Sequence, residues 1–198
     1  RSHGLFRLPG HVAMLRAGQA NGRADPTVEQ VAPALLRVEA GGGFAPLALD
    51  RGLPALADLA RAQGLAALGI REAVHYSALW PEVARLAAEG LIGLAVTATP
   101  PYVAPAGGRR PFFGTNPMAF AWPRAGAPPM VWDQASAAMA RGEVMLAAKE
   151  GRAVPETAGV DASGAPTADP AAIIEGGAQL PFGGHKGAAI ALMVDLLA

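Results

Sequence analysis

The stretch RGLPALADLARAQGLAALGIREAVHYSALWPEVARLAAEGLIGLAVTA, residues 51–98, carries the clearest periodic order in this chain of 198 residues. Over 51–63, Leu53, Leu56, Leu59 and Ala60 fall on one helical stripe. GLAALGI (64–70) then reads as a short apolar strand. LWPEVARLAAEG (79–90) is helical again, with Trp80, Val83, Leu86 and Ala87 directed inward and Pro81 tolerated in the first turn. LIGLAVTA (91–98) supplies the next strand. Strands alternating with amphipathic helices predict an α/β layer arrangement.

Working outward, residues 3–17 predict a helix in which His3 and Arg7, four apart, share a face. Pro9 cannot donate to the helical ladder, so a break is expected near Leu8. ANGRADPTVEQ (20–30) is polar and reads as a connector, and LLRVEA (35–40) as a strand ended by Gly41-Gly42-Gly43. Downstream, TPPYVAPAGGRRPFFGTNP (99–117) is a Pro/Gly-rich loop and MAFAWP (118–123) a strand. GEVMLAAKEG (142–151) fits helix or strand equally, and VPETAGVDASGAPTADP (154–170) is a long turn-rich loop of the kind that often carries function. AAIALMVDLLA (188–198) is too short to span a bilayer and holds Asp195, so a buried helix is expected. The start lacks Met and the end falls inside a helical pattern, so both termini read as cut from a longer protein.

Composition narrows the function classes. Sixteen basic residues balance sixteen acidic ones, which leaves no surplus to neutralise nucleic-acid phosphates. Cysteine is absent; disulfides and thiolate metal sites are therefore excluded, and a reducing cytoplasm is compatible. No secretory leader pattern is present, and neither a membrane nor a nucleic acid is an expected partner. No G-x-G-x-x-G follows a predicted strand, and GRRPFFGTN (108–116) has the wrong spacing for a P-loop, with Thr where Lys is needed. Four scattered histidines offer no metal-ligand spacing, and no metal site is expected.

Small polar clusters remain. HYSAL (75–79) precedes a helix, where Ser77 and free N–H groups suit an anion, although simple capping by Ser77 is the plainer reading. GTNP (114–117) sets two short polar side chains after a glycine, by itself a turn. DQASAAMARGE (133–143) begins with a carboxylate and an amide and ends with Arg141-Gly142-Glu143, which alone reads as a solvated surface pair. FGGHKG (182–187) brings His185 and Lys186 onto a Gly-rich turn, suited to a phosphate or to a plain helix start.

Taken together and in order, SHGLFRLPGHV (2–12), HYSALWPEVARLAAEGLIGLAVT (75–97), VAPAGGRRPFFGTNPMAFAWP (103–123) and APTADPAAIIEGGAQLPFGGHKGAAIALMVDLLA (165–198) closely resemble the malate/L-lactate dehydrogenase-like family of NAD(P)-dependent oxidoreductases. The resemblance implies a non-Rossmann NAD(P)-binding domain of class α/β (α+β), with a largely antiparallel sheet flanked by helices, and part of a second helical and mixed domain. By the same resemblance, residues 1–74 belong to a substrate and dimerisation domain and 75–198 to a cofactor domain incomplete at its C-terminal end, in a homodimer. It implies a proton relay of Ser2, His3 and Glu143, with Arg7 as anchor for the substrate carboxylate and Thr115 as a further substrate contact. His75, Tyr76, Ser77, Ala78 and Leu79, Asp133, Gln134 and Ala135, and Gly184, His185 and Lys186 fall where the family holds its cofactor.

The chemistry suits these roles. Hydride delivery to a C=N or C=O carbon leaves charge on the heteroatom, which a general acid must meet, and histidine titrates in the right range. A carboxylate partner favours the imidazolium, and arginine grips a carboxylate through two parallel hydrogen bonds. Arg141 and Gly142 followed by an acid resemble the branch that reduces the cyclic ketimines Δ1-piperideine-2-carboxylate and Δ1-pyrroline-2-carboxylate. A carboxylate suits a cationic iminium, whereas a lysine suits an anionic diacid. NADPH is the expected cofactor, with His185, Lys186 and the Arg109-Arg110 loop as candidate 2′-phosphate partners; NAD is the alternative. A 2-hydroxy-acid dehydrogenase of malate or lactate type is the second expectation. A non-catalytic fragment serving as an interaction module is the third.

Overall fold

The computed structural model describes residues 5–74 and 78–198, the side chain of Phe6 excepted. The chain divides into two compact units. One comprises the described part of 5–95 with Phe120–Trp132, the other Val96–Ala119 with Asp133–Ala198.

In the first unit a 3-10 turn, Leu5–Arg7, runs into helix α1, Leu8–Arg16. Pro9 therefore causes no break inside the helix. It sits in the first α-helical turn, where its missing N–H has no partner to lose. The expected connector contains a strand, β1 (Thr27–Ala32), exposed along its whole length. With no apolar alternation to reveal it, only its β-branched Thr27, Val28 and Val31 hint at a strand. β1 pairs antiparallel with β2 (Leu35–Glu39), which pairs in parallel with β3 (Ala67–Arg71), Val38 opposite Ile70.

Joining β2 to β3 is helix α2, Ala45–Gln63, which begins six residues before the predicted helix start at Arg51. Its buried stripe is Ala45, Ala48, Leu49, Gly52, Leu53 and Ala57, so the small residues, rather than Leu59 and Ala60, face the sheet. A Cβ on Gly52 would lie 2.8 Å from the Leu68 side chain and 2.9 Å from that of Val38. Glycine at this turn is what lets the helix lie so close to β2 and β3. Gly64, in the left-handed region at φ 81°, caps α2, and β3 begins only at Ala67 rather than at residue 64.

Helix α3, Trp80–Ala88, buries Val83, Leu86 and Ala87 as expected, but Trp80 is 53% exposed at the helix start. Leu86 meets Leu49, Leu53 and Ala57, with Ile70 and Leu91 packed alongside. β4 (Gly93–Val96) does not continue the β1–β3 sheet. It forms a second sheet, of order β4-β5-β6, with β5 (Met118–Trp122) and β6 (Met130–Gln134). The sheets are thus mixed in sense and flanked by helices, unlike a single doubly wound parallel sheet.

In the second unit the ambiguous 142–151 segment is helical, as α4 (Arg141–Glu150). The long loop holds β7 (Gly159–Val160), the short helix α5 (Pro170–Ile174) and β8 (Ala178–Gln179), with β7 and β8 antiparallel. Helix α6 spans His185–Leu197. Among the described residues, no helix is long and apolar enough to cross a membrane.

Candidate active site

The GTNP turn is the centre of the second unit. Asn116 is fully buried and holds φ at 34°, a left-handed backbone that asparagine tolerates better than most residues. Its Nδ2 donates to the Ala191 carbonyl and to Asp195 Oδ1, both at 2.8 Å, and its Oδ1 accepts from Thr99 N at 3.1 Å. One amide thereby ties the lead-in to β5 to α6 and to the loop after β4. Thr115, 9% exposed, donates its N–H to Thr99 Oγ1 at 2.9 Å. The Thr115 carbonyl accepts from both the N–H and the hydroxyl of Ser136, each at 2.8 Å.

Ser136, 1% exposed, is a junction. Its own carbonyl accepts from Phe182 N at 3.0 Å, and Gly187 lies against it so tightly that a Cβ would stand 2.5 Å from that oxygen. Thr115, Ala135 and the Gly184-His185-Lys186 turn are therefore gathered around one buried serine. Beneath them Val103, Phe113, Ala137 and Ala191 form an apolar cluster that Ala135 and Ala188 join.

The turn itself is built on Gly183 and Gly184, with φ of 55° and 61°, and leads straight into α6. His185 and Lys186 are exposed in the first turn of this 13-residue helix. Open backbone, a helix N-terminus and two donor side chains together suit a phosphate-bearing cofactor. Asp133 and Gln134, at the end of β6, are exposed as well.

Arg141, Gly142 and Glu143 form the first turn of α4. The Arg141 guanidinium lies 4.5 Å above the Tyr102 ring, a cation–π contact. Burial pushes its pKa below the usual arginine value, an effect that Tyr102 partly offsets. The residue is half-buried over an aromatic ring, which departs from the solvated surface pair its sequence suggests. The Tyr102 and Val103 N–H groups both donate to the Phe113 carbonyl at 2.8 Å, two residues before Thr115. Glu143, half-buried, stands at the helix N-terminus, where the backbone dipole favours a carboxylate.

Arg7, Ala78 and Leu79 belong to the first unit. Arg7 closes the 3-10 turn, half-buried, and Leu79 is a buried residue at the start of α3. Ser2, His3, His75, Tyr76 and Ser77 lie outside the described residues. Two functional-looking residues escaped the sequence reading, Ser136 and Gln179, and Asn116 is read there only as part of the GTNP turn. Asn116 has the next-to-proline turn as its only local signal, and Ser136 is hidden in an alanine-rich run. Gln179 has no local signal at all. Among the described residues, no cluster of three His, Asp or Glu could hold a metal ion.

The profile of the malate/L-lactate dehydrogenase family matches residues 1–198, and the chain belongs to that family. It is 52% identical over 197 residues to the Δ1-pyrroline-2-carboxylate/Δ1-piperideine-2-carboxylate reductase of Pseudomonas aeruginosa, covering 100% of this chain and 59% of that protein. The crystal structure of Δ1-piperideine-2-carboxylate reductase from Pseudomonas syringae pv. tomato superposes with a TM-score of 0.96 at 50% identity, over 100% of this chain and 59% of the other. Sulfolactate dehydrogenase from Methanocaldococcus jannaschii superposes at 0.85 with 32% identity, over 99% and 56%. The chain thus spans less than two thirds of the length of each of these relatives.

Proposed function

We propose that this protein reduces cyclic ketimines with NADPH, taking Δ1-piperideine-2-carboxylate to L-pipecolate and Δ1-pyrroline-2-carboxylate to L-proline. The observation that carries the reading is the first turn of α4, where a carboxylate, Glu143, follows an arginine seated over Tyr102. The high identity to reductases of these two imines supports it.

In this reading His3 delivers the proton that the reduced nitrogen needs, with Ser2 and Glu143 as its relay. Arg7 grips the substrate carboxylate, and Thr115, Arg141 and Gly142 complete the substrate contacts. His75, Tyr76, Ser77, Ala78, Leu79, Asp133, Gln134, Ala135, Gly184, His185 and Lys186 hold the cofactor. A nicotinamide cofactor supplies the hydride when bound. The protein is a cytoplasmic homodimer in this proposal.

The test follows NADPH oxidation in the full-length protein with either cyclic imine, against pyruvate and oxaloacetate. Turnover of the imines is expected, and turnover of the open-chain acids alone would overturn the reading in favour of a 2-hydroxy-acid dehydrogenase. The likeness to sulfolactate dehydrogenase supports that second reading. Equal efficiency with NADH would refute the NADPH preference. Glu143→Gln is expected to lower kcat about 10²-fold with the melting midpoint retained, as for loss of a proton-transfer partner.

A further inference from the structure

Gln179 is completely buried. Its Nε2 donates to the Met139 carbonyl at 2.6 Å. Its backbone is equally committed: Gln179 N donates to the Tyr102 carbonyl at 2.8 Å, and the Gln179 carbonyl accepts from Ala104 N at 2.9 Å. Met139 leads into Ala140, which caps α4 and whose carbonyl accepts from Glu143 N and Val144 N at 2.9 and 3.1 Å. One residue therefore holds both segments that bring Arg141 and Tyr102 together. Its main chain fixes the ring, and its side chain fixes the start of the helix that carries the guanidinium.

The other half of the amide reinforces this assignment. Gln179 Oε1 is buried with no hydrogen-bond partner among the described residues. An unmatched buried acceptor is unfavourable, and an apolar side chain of the same size would avoid it. What the glutamine adds over such a residue is the one donor aimed at Met139. Geometry leaves no choice about which end of the amide faces that carbonyl, since only the NH₂ can donate to it.

We infer that Gln179 is a positioning residue: by clamping the Met139 carbonyl to the Tyr102 segment, it sets Arg141 over Tyr102 and so tunes how the α4 first turn receives the substrate. The link to substrate rests on the reductase reading above; the clamp itself does not. The substitution Gln179→Met keeps volume and burial but removes the donor. In the full-length protein it should raise KM for the cyclic imine about tenfold, since small misplacements of a positioning group are costly, while KM for NADPH stays within about twofold. Arg141→Leu should have a comparable effect, and Gln179→Met added to it should have none.

A readout free of activity separates the two layers. The Arg141 side-chain Nε–H resonance, assigned through Arg141→Lys, is shifted by the ring current of Tyr102, and Gln179→Met should move it toward the position of an unstacked arginine. If the resonance moves and no imine is turned over, the clamp stands and the reductase reading fails. An unmoved resonance, or NADPH and imine KM values rising together, would overturn the inference. Should the methionine variant not fold, Gln179→Asn, which keeps the amide but withdraws it by one methylene, is read by the same resonance with the same expected direction.

Discussion

In the first unit Arg37, Arg61 and Arg85 reach Glu29, Glu89 and Asp50 at 2.7, 2.7 and 3.3 Å, all with exposed side chains. In the second, Asn116, Ser136 and Gln179 make their contacts from fully buried side chains. The contrast follows from what holds each region together. The β2–α2–β3 segment has regular apolar stripes, Val38 with Ala48 and Leu49 with Leu53 and Leu86, that define the packing on their own. Its ion pairs decorate a surface already decided. Between its helices the second unit is largely loop, with β7 and β8 of only two residues each, so backbone groups that no ladder satisfies must find side-chain partners. There, polar side chains are the architecture.

This contrast can be broken at graded points. The largest effect is expected for Gly187→Val, because the atoms in the way, Ser136 O and Phe182 O at 2.5 and 2.7 Å from a Cβ, belong to the backbone and cannot swing aside. A loss of about 3 kcal/mol in urea unfolding is expected, at the upper end for overpacking. Asn116→Leu comes next. It strands Thr99 N and takes a donor from the Ala191 carbonyl and from Asp195, and should cost about 2 kcal/mol by the same measurement. Arg61→Ala should leave the melting midpoint where it is, since the pair with Glu89 is solvent-screened. If Asn116→Leu proved as silent as Arg61→Ala, the contrast between the two units would be wrong.

The same contrast explains what could be read from the sequence. Residues 51–98 announce their helices because one face is buried and the other is wet, which is the condition under which periodicity exists. β1 fails that condition, being exposed throughout, and so reads as a connector. Trp80 fails it differently: its bulk suggests burial, but its place at the first position of α3 leaves it exposed. At the site, the clusters around Thr115, Arg141 and His185 stand out by residue type. Their junctions do not. Ser136 and Gln179 acquire their importance from partners 21 and 40 residues away, which no local pattern encodes.

The bonds from Asn116 to Ala191 and Asp195 span 75 and 79 residues. Chain connectivity gives them a kinetic meaning. Closing so long a loop forfeits entropy before any contact rewards it, so such contacts form late relative to local ones. The β2–α2–β3 segment can assemble as soon as Arg71 has left the ribosome, whereas the GTNP hub must wait for residue 195 to do so. During that interval the Asn116 Nδ2 lacks both of its α6 acceptors. The order of folding is thus written into the separation of these residues, with the loop-built region the last to close and the first whose opening hydrogen exchange should reveal.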